Sequence, residues 1–87
     1  MKKYLDDDDC LEFHQKTPDI LSHLSIVPQY VSRGMEEISG MSPYCWKSDE
    51  IIDSLDEAIE LMGKAAREIE LAIFETKRLI AFVEGSN

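Results

Sequence analysis

Between Ile51 and Val83, residues recur at alternating steps of three and four: Ile52, Leu55, Ile59, Met62, Ala66, Ile69, Ile73, Thr76, Ile80 and Val83. Thr76 is the only polar member of this series. A heptad pattern held this long commits the chain to one long helix carrying an apolar seam. Ser48 is placed to cap it, Asp49 and Glu50 sit in its favourable first turn, and Gly85 is the expected end. Gly63 is the weak point, costing up to about 1 kcal/mol against alanine, and a break there is the alternative.

A second row runs one residue earlier, at Ile51, Ala58, Ala65, Ala72 and Leu79. Its three alanines, seven residues apart, let a neighbouring helix approach closely. The apolar stripe is therefore wide, as in a helical bundle, and not the narrow stripe of a two-stranded coil.

A helix over 49–84 spans roughly 54 Å. A compact globule of this chain length has a radius of gyration of about 12 Å and a diameter near 30 Å. Such a helix outruns its own domain, so either the N-terminal half lies along it as a flat hairpin or another chain covers the seam. Both are expected. Leu71 and Phe74 fall roughly opposite the seam and suggest a further helical contact, most simply within a homodimer or higher oligomer. The expected self-association surface comprises Ile52, Ile59, Ala66, Ile69, Ile73 and Ile80, together with Leu71 and Phe74.

The N-terminal half reads as shorter pieces. Residues 1–16 form an acidic segment with Asp6, Asp7, Asp8 and Asp9 in a run. Thr17-Pro18-Asp19 is a helix-start signal, and a short helix is expected through Leu24. Pro28 opens another, with Tyr30, Val31, Met35 and Ile38 at helical spacing and Gly40 as its stop. Residues 17–40 are thus short helices, 41–47 a loop and 48–85 the long helix. The expectation is a single all-α domain of 87 residues, with short helices packed along a long one.

The net charge of −9 argues against direct binding to nucleic acid or an anionic membrane, both of which need a basic face. Four aspartates where a signal peptide would be apolar, no membrane-length apolar run, and only Cys10 and Cys45 point to a cytoplasmic protein with reduced thiols. The acids are concentrated. Asp49, Glu50, Asp53, Asp56, Glu57 and Glu60 open the long helix without one basic residue among them. From Leu61 onward the charges balance, with Glu60–Lys64 and Lys64–Glu68 as i,i+4 surface pairs. The face formed by Asp49, Asp53, Asp56, Glu57 and Glu60 is the expected docking surface for a basic partner, which it would attract in a fast, salt-sensitive manner.

No catalytic constellation emerges. Cys10, His14, His23 and Cys45 could supply a zinc set, but their spacing matches no compact finger. The aspartate run lacks the alternation and glycine of a calcium loop. Cys45, beside Trp46, reads as a buried anchor at the turn into the long helix, and His23 as a packed residue. Neither an enzyme nor a cofactor is expected.

Ala65-Ala66-Arg67, followed by Phe74, is similar to the last helix of the phage anti-CBASS proteins, over about a dozen residues. Those are small helical oligomers that sequester cyclic oligonucleotide signals between subunits. The resemblance implies a phosphate-binding pocket near Arg67 at a subunit interface, with Lys64 as a further ligand-binding candidate. Glu68 stands where that family's motif continues with threonine, and the N-terminal half does not resemble it. The expected function is a non-catalytic acidic binding protein, such as a phage-type inhibitor that docks on a basic host protein. The alternatives are a cyclic-nucleotide sponge and a structural assembly module.

Overall fold

The computed structural model describes residues 4–42 and 44–86. Two helices, α1 (Asp7–Ser39) and α2 (Ser48–Ser86), pack against each other as an antiparallel hairpin, with no strand among the described residues. The particle measures 64 × 18 × 15 Å and its radius of gyration is 20.0 Å, far from a sphere. The long helix therefore does outrun a globule, and the N-terminal half lies along it.

The N-terminal half is one helix, not a set of short ones. Asp6 caps α1 by accepting from the Asp9 backbone N–H at 2.8 Å, and three aspartates fill the first turn. The helix continues through Pro18 and Pro28, which sequence signals had marked as starts. A proline inside a helix removes one N–H and crowds the carbonyl four residues earlier. Both rings lie on the exposed side, where water can reach the freed carbonyls. At the first site, Thr17 Oγ1 also donates to the His14 carbonyl at 3.2 Å, the very group that Pro18 leaves without a backbone partner. Thr17 is thus a mid-helix hydrogen-bond donor and not a cap. Gly40 ends α1 as expected, its N–H donating to Glu36 O at 2.9 Å.

Helix α2 runs without interruption past Gly63 and through Gly85 to Ser86. Nothing approaches within 4 Å of where a Cβ on Gly63 would stand, so its only effect is the local loss of helix propensity.

The hairpin is built on two matching heptad rows, called inner here because they face each other. On α2 the inner row is the alanine row: Ala58, Leu61, Ala65 and Ala72 are the buried apolar core, flanked by half-buried Ile51 and Leu79. On α1 the inner row runs through Phe13, Ile20, Val27, Tyr30 and Gly34, of which Gly34 is fully buried. A Cβ on Gly34 would lie 3.9 Å from Leu61 Cβ, an ordinary van der Waals contact, so the position would admit alanine, and it is the alanine row of α2 that keeps the facing side chains small.

Polar side chains in these rows meet partners across the interface. His23 Nδ1 donates to Glu68 Oε2 at 2.7 Å, and Ser54 Oγ donates to Glu37 Oε2 at 2.9 Å. Lys16 Nζ lies 5.4 Å from the Phe82 ring centroid. A slip of the hairpin by one heptad would separate all three pairs, so they fix its register. Glu68 is thereby taken from the surface pairing with Lys64 that spacing had suggested.

Candidate functional site

The antiparallel register brings the acidic start of α2 beside the end of α1. Residues 36–60 hold eight carboxylates (Glu36, Glu37, Asp49, Glu50, Asp53, Asp56, Glu57, Glu60) and one base, Lys47. None of the eight is ion-paired among the described residues, where the ion pairs are His23–Glu68 and Arg78–Glu75. A shallow cleft at this end is lined by Glu37, Trp46, Glu50, Asp53, Ser54 and Glu57. Ser54 fixes the Glu37 carboxylate, holding one acid from α1 among three from α2.

Of the acids singled out in sequence, Asp53 and Glu57 line this cleft. Asp49, Asp56 and Glu60 are exposed on the same stretch of α2 outside that lining. Glu37 and Trp46 join the site from beyond the long helix. Trp46 is half-buried and Cys45 is exposed, so the expected buried anchor at the turn does not form. Such an arrangement offers an aromatic surface rimmed by unpaired negative charge, suited to lysine or arginine side chains, whose stems are apolar and whose heads are cationic.

The second feature is the heptad seam itself. The row from Ile52 to Val83 is not the buried one; it lies one residue round the helix from it, at the edge of the contact with α1. Ile52 (56%), Ile59 (61%), Ile73 (49%) and Ile80 (53%) remain exposed, with Ile69 and Met62 alongside. Helix α1 carries an equivalent outer row, with Leu24, Val31, Met35 and Ile38 exposed. The two outer rows share one face of the hairpin. Val31, Met35 and Ile38 line a groove with Met62, Ala66 and Ile69, over a floor of Gly34 and Ala65. Leu24 lines its continuation with Ile69, Ile73 and Thr76, over Ala72, with Lys77 at the margin.

Leu71 and Phe74, expected at an oligomer interface, lie away from this groove. Leu71 is exposed, and the Arg78 guanidinium sits 5.8 Å from the Phe74 ring centroid. Lys64 and Arg67 are exposed on α2. Cys10, in the first turns of α1, and Cys45, in the interhelical loop, sit at opposite ends of the hairpin, and His23 is engaged by Glu68. Among the described residues no group of three His, Cys, Asp or Glu side chains is placed to hold a metal ion, and no helix is long and apolar enough to cross a membrane.

No family model, curated protein or solved structure matches the chain.

Proposed function

We propose that the protein is a non-catalytic binding protein whose acidic hairpin tip docks on a basic surface of another protein. The observation that carries this reading is the set of eight carboxylates without an ion-pair partner at one end of the rod, four of them lining the cleft with Trp46. Unpaired acids held close together repel one another, and a basic partner relieves that repulsion while an acidic or neutral one does not. A protein that normally holds nucleic acid in a cationic groove is the partner class this tip fits, and occupying the groove would inhibit it.

The test begins with recovery of the partner from a lysate of the host cell, identified by mass spectrometry. Its affinity for the purified chain is then measured at low and high salt. Affinity should fall steeply with salt, and Asp53→Lys with Glu57→Lys should weaken binding by at least about tenfold through slower association. Indifference to both salt and charge reversal would remove the reading.

A further inference from the structure

The apolar groove on the outer face is independent of the acidic tip, and its chemistry specifies a different occupant. We infer that this face is covered by a second copy of the chain, the two hairpins packing face to face as a four-helix bundle.

The first argument is size. The exposed large apolar side chains of the two outer rows stand about half accessible and leave on the order of 1,000 Å² of apolar surface per copy, above the roughly 800 Å² per partner of a standard stable interface. The hairpin's own core is small by comparison. Among the described residues its buried apolar side chains are three alanines and one leucine, Leu61, which faces Gly34. A chain of this length with so thin a core gains stability chiefly by associating.

Charge supplies the second argument. Nearly a third of the chain is charged (31%), yet no Asp, Glu, Lys or Arg stands in either outer row, Leu24, Val31, Met35 and Ile38 on α1 or the seam from Ile52 to Val83 on α2. A copy carrying the same −9 could not approach through the acidic tip, but it can approach through a face that carries no acid and whose one charged lining residue is Lys77, at the groove's margin.

Shape is the third. The face is two helices wide and follows a 3.5-residue period along the length of the rod. Its complement must therefore be another two-helix face of similar length and the same period, which is what a second copy presents. Leu24 and Ile69, near the middle of their helices, fall at the centre of the contact.

Two neighbouring residues make the test self-controlled. Ile69 and Leu71 are equally exposed (41% and 40%) on one helix, but only Ile69 lines the groove. By light scattering and sedimentation at micromolar concentration the chain should have twice its 10.0 kDa mass. Ile69→Glu should weaken association by at least about a hundredfold and yield a monomer, while Leu71→Glu should leave the dimer intact. A monomeric wild-type chain overturns the inference. So does a pair of variants in which Leu71→Glu dissociates and Ile69→Glu does not. If Ile69→Glu fails to fold, thiol labelling makes the same comparison with Ile69→Cys and Leu71→Cys in a chain whose Cys10 and Cys45 are serine. Protection at position 69 alone, lost on dilution, supports the second copy; equal labelling at both positions overturns it.

Discussion

Helix α2 carries two apolar rows that differ by one residue in phase. The row that binds the chain's own α1 is the poorer in hydrophobic mass, with Ala58, Ala65 and Ala72 at its centre. The richer row, with five isoleucines between Ile52 and Ile80, is left open. Small residues allow two backbones to approach and lock in one register, aided here by the His23–Glu68 and Glu37–Ser54 pairs. Large branched residues supply area instead. Within one helix, geometry and area are thus assigned to different faces, and the more hydrophobic row is not the one that determines the monomer's fold.

The largest test of that division compares Leu61 with its neighbour Met62. In the Ile69→Glu background, where a second copy is not in play, Leu61→Ala should cost about 3 kcal/mol by chemical denaturation. Met62→Ala should cost less than about 1 kcal/mol there, since its side chain already meets water. Equal losses would erase the distinction between the rows. The next comparison adds bulk to adjacent alanines. Ala65→Leu wedges the helices apart and should cost about 2 kcal/mol, whereas Ala66→Leu in the same background should change stability by less than about 0.5 kcal/mol. The smallest effect is a calibration. Gly63 belongs to neither row, so Gly63→Ala should raise stability by up to about 1 kcal/mol through helix propensity alone, visible as a higher denaturation midpoint.

The long helix, its start at Ser48 and the close-approach role of the alanine row were all legible in the sequence, because each rests on local periodicity. The unbroken course of α1 was not. Pro18 and Pro28 carry the same local signal whether they open a helix or ride on its exposed side, and only the partner helix determines which. Half of the acidic tip was legible, the part that lies on α2. Glu37 joins it through the hairpin register, which depends on cross-helix pairs such as His23–Glu68, between residues 45 apart in sequence. Cys45, beside Trp46, was read as a buried anchor at the turn, but it is exposed, because the short connection between the helices offers nothing large enough to enclose it.

The hairpin register also orders the steps by which the chain closes. Glu37 meets Ser54 across a separation of 17 residues and His23 meets Glu68 across 45, a difference in loop-closure cost of about 0.9 kcal/mol. Zippering is therefore expected to start at the loop and run toward the termini. The loop end also holds the eight carboxylates without an ion-pair partner, so electrostatic repulsion is expected at the first step and on the folding barrier. Added salt should accordingly speed folding while leaving the unfolding rate nearly unchanged, a signature that stopped-flow measurements at two ionic strengths would reveal.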